Sequence, residues 1–280
     1  PKNITFPTDA KLMLTAIEQL GKLARRHNVP LRQSYAHAKQ FKRHNRALAF
    51  LRTRLGRVIR DIRRKIENDT ALEEICASPL TKALQIRGQK QRQRGWKLYS
   101  WHAPETECIG KGKARAPYEF GCKVSIATTN KRCKGGQFIL HAKAFHGNPY
   151  DGHTLRTVVS ETQGLTGREI ERVYVDKGYR GHDAPKPRRV FRSGQKRGVH
   201  GQIWRELRRR SAIEAVIGHL KTDGHLGRNF LRGRHGDHTN AVLSAVGYNF
   251  RLILKWMRLL CAWMLQLCAD RNRRYATLKT

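Results

Sequence analysis

Residues 118–128 (YEFGCKVSIAT) and 137–145 (QFILHAKAF) separate this chain from a plain bundle of helices. Both are short, carry β-branched and aromatic residues, and are bounded by turn formers, so they predict strands. The turn-rich stretch between them, with Lys134, Gly135 and Gly136, makes a hairpin, or a three-strand meander if residues 96–102 form a further strand. Gly147, Asn148 and Pro149 end it. Asp151 is placed to cap a helix running to about Gln163, closed by residues 164–167. Residues 171–176 (ERVYVD) then read as a short strand with Val173 and Val175 inward. The order strand, strand, strand, helix, strand belongs to an α/β or α+β sheet domain.

Upstream, the period changes to that of helices. Thr8 or Asp9 can cap a helix with Leu12, Ala16, Ile17, Leu20 and Leu23 on one face, and Asn28, Val29 and Pro30 break it. A longer helix follows to about Asn68. Its Leu48, Leu51, Leu55, Val58 and Ile62 are spaced 3, 4, 3, 4, a coiled-coil-like seam interleaved with arginines. These two read as a helical hairpin with a solvated basic face, which could also track a phosphate backbone or mediate self-association. A third helix near 71–92 is expected to be interrupted by Pro79, and residues 89–94 (QKQRQR) read as a linker. Downstream, residues 184–201 read as a basic loop, residues 203–221 as a helix, and residues 241–270 as a long helix apolar on several faces and therefore packed.

The chain has 280 residues, with 57 Lys and Arg against 21 Asp and Glu, for a formal net charge of +36. Such a charge gives a fold nothing but self-repulsion, so it points to a polyanionic partner, nucleic acid before an anionic membrane. No run reaches about 18 uninterrupted apolar residues; Lys255 and Arg258 break the best one. No secretory signal pattern is seen. The 6 Cys show no C-x-x-C spacing and read as reduced cytosolic thiols. The chain starts at Pro1 rather than Met, and is expected to be a fragment.

Two acidic residues could carry chemistry. Asp176 closes a predicted strand before Lys-Gly-Tyr-Arg-Gly-His. A carboxylate there is a common metal ligand, and equally a turn residue bonding its own backbone. Glu214 lies about 40° around a helix from Arg210, and Lys221 about 20°, so the three share one stripe beside the apolar Ile213, Val216 and Leu220. That stripe suits a divalent cation and nearby phosphates. Ser211-x-x-Glu214 is also a capping-box pattern, but Ile203, Trp204 and Leu207 extend the apolar face upstream and make Ser211 internal. The stretch 109–113 (IGKGK) lacks the spacing of a phosphate loop. His102, His141, His146 and His153 show no metal spacing and read as scattered polar or phosphate-contacting residues.

Residues 108–130, 147–155 (GNPYDGHTL), 173–182 (VYVDKGYRGH), 210–221 (RSAIEAVIGHLK) and 231–254 together resemble the bacterial insertion-sequence transposases of the insertion-sequence-five group. The likeness covers nearly the whole chain, with the motifs in the family's order. It implies a DDE-class enzyme with an RNase H-like catalytic domain: an α/β fold whose mixed sheet is flanked by helices, with a large helical insertion near the N-terminus. By that resemblance residues 1–94 are the insertion between the first and second strands, 95–235 the catalytic core, and 236–280 a C-terminal helical region packing on it. Asp176 and Glu214 match the second and third catalytic, metal-binding acidic residues. Arg210 and Lys221 match DNA-phosphate contacts, with Leu207 standing where the family's signature has Tyr. The first acidic residue, in a strand reading roughly Asp-Thr-Thr-Val-Gln, is expected just upstream of Pro1; Asp9 and Asp151 read instead as helix caps. The family uses two Mg²⁺ ions, with Mn²⁺ as substitute, and acts on terminal inverted repeats and target DNA. The resemblance further implies a bacterial cytoplasmic, nucleoid-associated protein, no membrane partner, a homodimer in the intact enzyme, and a chain that binds DNA without cutting or joining it. A basic nucleic-acid-binding module with no catalytic role is the alternative.

Overall fold

The computed structural model describes residues 1–32, 44–90, 93, 95–111, 114, 117–131, 136–185 and 189–277, and the side chains of 44–47 and 270–277 are excepted. The start of the expected second helix, the tip of the hairpin around Lys134 and Gly135, and parts of the 89–94, 109–113 and 184–201 stretches lie outside them. The fold is mixed α/β, rich in helix, with its strands in small two-stranded ladders. It divides into two compact units, Lys2–Gly121 and Cys122–Thr280, the latter with Pro1.

The first unit is built on three helices. α1 (Asp9–Arg26) starts where Thr8 accepts a hydrogen bond from the Lys11 amide. α2 (His44–Ile66) buries Leu51, Leu55, Val58 and Ile62, as the seam predicts, and leaves Arg52, Arg57, Arg60, Arg63 and Arg64 exposed. α3 (Thr70–Gly88) is capped by Asp69 through the Leu72 amide. Pro79 sits inside α3 without ending it, contrary to the expected interruption. Buried Cys76, Leu80, Ala83 and Ile86 fasten α3 to the common core on both sides of the missing backbone donor.

The division falls after Gly121 instead of near residue 94. Residues 96–102, expected as a strand, are irregular, yet Leu98 is fully buried in the helical core. The Gln89 side chain does a neighbouring strand's work. Its Nε2 donates to the Leu98 carbonyl at 3.2 Å, and its Oε1 accepts from the Leu98 amide at 2.6 Å. Lys97 pairs with Asp9 at 2.8 Å and Lys2 with Glu105 at 2.7 Å. The segment therefore belongs to the helices, followed by the antiparallel pair β1 (Glu107–Gly110) and β2 (Tyr118–Gly121).

The second unit opens with the expected hairpin, β3 (Lys123–Thr128) antiparallel to β4 (Ile139–Phe145). The single stretch read at 118–128 is thus two strands, split at Gly121, whose φ of 153° suits glycine, and Cys122. A 3₁₀ turn (Asp151–Thr154) leads into α4 (Leu155–Thr166), closed by Gly167 in the left-handed region. β5 (Arg172–Val175) then pairs in parallel with β6 (Arg189–Arg192), a strand inside the stretch read as a basic loop. Phe191 supports it, being buried and stacked on Tyr174 with centroids 5.4 Å apart.

The helix expected over 203–221 is two, α5 (Gly201–Arg209) and α6 (Ala212–Thr222), broken at Arg210 and Ser211. The last helix, α7 (Gly233–Thr277), begins earlier than expected. Its Ala241, Ala245, Tyr248 and Leu252 pack on Ile139, Ala142 and α6. The expectation that all of it packs fails: from Ile253 to Leu267 its large apolar side chains are exposed, because one stripe of a helix can meet one neighbour. The stretch Gly233–Ala269 is long and apolar enough to cross a membrane by length and composition, which by themselves do not make it a span.

Candidate functional site

β3 pairs only with β4, and β5 only with β6, so among the described residues each keeps one edge without a neighbouring strand. Both strands line one cleft of about 640 Å³, through residues 125–131 and 169–175. Leu155, Val158 and Val159 of α4 line it as well. At its rim the Asn130 side chain donates to the Glu206 carbonyl at 2.9 Å, and Arg209 donates to the Asn130 carbonyl at 3.2 Å, tying α5 to the end of β3.

Asp176 follows directly on β5 and is exposed. Its Oδ1 accepts from the Lys177 amide at 2.8 Å and caps the turn Lys177–Tyr179, so the turn role foreseen for it is present. Tyr179 in that turn has its pKa raised, first by burial and then by the nearby carboxylates of Asp151 and Asp176. Asp151 therefore belongs to this end of β5, which sequence reasoning missed by treating it as a helix cap. It is not the cap: Thr154 holds that position for α4 and Tyr150 for the 3₁₀ turn, and Asp151 receives Lys123 Nζ at 3.0 Å. Gly178 makes the approach possible, because a Cβ there would lie 3.0 Å from Asp151 Oδ2.

Glu214 lies in the first turn of α6 with its side chain 72% exposed. Arg210 Nη2 stands 3.4 Å from its Oε1, so the predicted neighbours do meet. Arg210 lines the cleft. Ser211 occupies the cap position, yet its hydroxyl donates to the Arg208 carbonyl at 3.0 Å and no capping box forms. Lys221 lies in the last turn of α6 and is exposed.

The acid that the cleft holds most firmly is Glu206, which carried no sequence signal beyond its helix. It accepts from the Tyr174 hydroxyl, takes Gln202 Nε2 at 2.7 Å and lies 3.4 Å from Arg172 Nε. Burial opposes its charge, but the Tyr174 and Gln202 hydrogen bonds and the Arg172 and Arg209 charges outweigh it and lower its pKa. Burial and the Glu206 carboxylate push the Tyr174 phenol up to about 12.

Among the described residues, one group of three or more potential metal ligands has its donor atoms within 4.8 Å of one another: Cys122, His146 and Asp237. Asp176 and Glu214 are outside it. They fit a hard cation in kind, both being exposed oxygen donors, and neither belongs to a group of three or more ligands among the described residues. Comparison of the chain with protein-family models, with curated proteins and with solved structures gives no match.

Proposed function

We propose that the chain carries the second and third acidic positions of a DDE-class DNA transposase with an RNase H-like core, and that the β3–β5 cleft is the slot for the strand bearing the first. The carrying observation is that β3 and β5, each with one edge that meets no strand among the described residues, both contribute residues to one cleft. A strand laid between them would bond to both and join the two ladders into one five-stranded mixed sheet. Asp176 follows directly on β5, and of the four proposed site residues Arg210 is the one that lines the cleft. The net charge of +36 supports DNA, terminal inverted repeats and target, as partner.

Asp176 and Glu214 would hold Mg²⁺ or Mn²⁺, whose chemistry is to activate a water or 3′-hydroxyl and to offset charge at phosphorus. Arg210 and Lys221 bind and orient DNA phosphates, and the Arg-rich face of α5 adds attraction. With Asp176 and Glu214 as its only two carboxylates, the proposed site leaves one ion of the pair short of a bridging ligand, so the 280-residue protein is expected to bind DNA without cutting it. The test is to extend the chain upstream of Pro1 with a strand containing Asp-Thr-Thr-Val-Gln and assay Mg²⁺-dependent nicking of supercoiled DNA. The extended protein is expected to nick, and Asp176→Asn or Glu214→Gln to abolish it. Nicking by the 280-residue chain alone, or none by the extended protein, overturns the reading.

The exposure of Glu214 and its pairing with Arg210 favour a second reading, a basic nucleic-acid-binding module without chemistry. It predicts that both acidic substitutions leave the Mg²⁺ affinity of the extended protein unchanged.

A further inference from the structure

We propose that Cys122, His146 and Asp237 form a binding site for a borderline-soft divalent cation, Zn²⁺ foremost, separate from Asp176 and Glu214. The hairpin register sets up the first two ligands. β3 and β4 pair Lys123 with Phe145, so one position outward Cys122 stands opposite His146. Directly opposed residues have Cβ atoms about 5 Å apart, within reach of one ion. Asp237 comes from the first turns of α7 and is 4% exposed. All three donor atoms lie within 4.8 Å of one another.

The surroundings aim the carboxylate. Asn229 Nδ2 donates to Asp237 Oδ1 at 2.6 Å, and Asn229 is itself held by its amide on the Pro1 carbonyl at 2.8 Å and by the Leu231 amide on its Oδ1 at 2.9 Å. Asp237 Oδ2 lies 3.8 Å from His146 Nε2. That separation exceeds a hydrogen bond. It is near the roughly 3.3 Å between two donors each about 2.0 Å from one tetrahedral ion. A small closure of the site brings the ligands to bonding distance.

The donor set selects the ion. One thiolate, one imidazole and one carboxylate suit Zn²⁺ or Co²⁺ and not Mg²⁺, which takes oxygen. Three protein ligands leave a fourth position for water. The site joins the open end of the hairpin to the start of α7, and a bound ion would clamp the two together.

The probe is Co²⁺ alone, titrated into the full chain. One equivalent should give a thiolate-to-cobalt charge-transfer band that Zn²⁺ displaces and Cys122→Ser abolishes. Asn229→Ala should keep the band and weaken affinity about 10–100-fold. Absence of the band, or its persistence in Cys122→Ser, overturns the site. A measurement on the unaltered chain guards against misfolding of the variants. Zn²⁺ should protect Cys122 from alkylation while leaving Cys108 unprotected, with EDTA restoring reactivity; equal Cys122 rates with and without Zn²⁺ overturn the site as well.

Discussion

The side-chain amide of Asn249 on α7 is bonded to both backbone groups of Ile139 on β4, accepting from its amide at 2.9 Å and donating to its carbonyl at 2.8 Å. One residue thus satisfies the start of β4 and seats α7 on the hairpin. Asn249→Ala leaves a buried donor and acceptor without partners and should lower stability by about 1–3 kcal/mol. Urea unfolding checks the size, and faster exchange of the Ile139 amide checks the cause.

Gln89 serves Leu98 in the same way in the other unit. Gln89→Ala should cost a similar amount, about 1–3 kcal/mol. Hydrogen exchange should show loss of protection at Leu98 while the Ile139 amide is unaffected.

Tyr174 links alkaline stability to the cleft. Its folded pKa, about 12, stands above the ordinary phenol value of 10.0. A raised pKa means the protonated phenol is favoured by folding. That contribution is fully present below the unfolded value and is lost as pH rises through the folded one. Stability should therefore fall between about pH 10 and 12, and Tyr174→Phe should remove that part of the fall. Chemical denaturation across that range measures it.

Glu161 gives the opposite limb. Its carboxylate meets Lys143 and, at 2.8 Å, His141 Nε2. Burial works against its charge, yet these partners hold its pKa below the ordinary 4.5. A lowered pKa contributes stability above the unfolded value and loses it as pH falls through the folded one. Glu161→Gln should flatten the acid limb of a stability-against-pH curve, below about pH 4.5.

DNA binding should follow counterion release. Between 50 and 200 mM salt, affinity should fall by about 10³-fold or more if six or more phosphates are neutralised. Arg210→Ala or Lys221→Ala should each shorten the salt slope by about one without changing preference among sequences. Filter binding at several salt concentrations reads both.

The parts of the fold that were legible are those where one period dominates. α1 and the α2 seam follow from 3.6-residue spacing, and β3 and β4 from β-branched runs between turns. Misreadings arose where a distant side chain replaced a local signal. Residues 96–102 look like a strand because Leu98 must be buried, but its partner is Gln89. Residues 203–221 look continuous because apolar residues recur, although at Arg210 and Ser211, still helical in their dihedrals, the α-helical bonds give way to bonds between residues three apart. β6 was hidden by its flanking arginines. At the site, Arg210 beside Glu214 was readable from helical geometry, since four positions make one turn. Asp151 beside Tyr179, and Cys122 opposite His146, depend on how segments far apart in sequence come together, which no spacing encodes.

The edges of β3 and β5 that meet no neighbouring strand among the described residues carry a colloidal consequence. An open edge can recruit extended backbone, another copy included, and mutual repulsion at +36 opposes that pairing. Ionic strength screens that repulsion just as it would weaken the proposed hold on DNA. On the proposed function, the buffer that weakens binding to a polyanion is also the one that favours association of copies, and added nucleic acid should then keep the protein in solution.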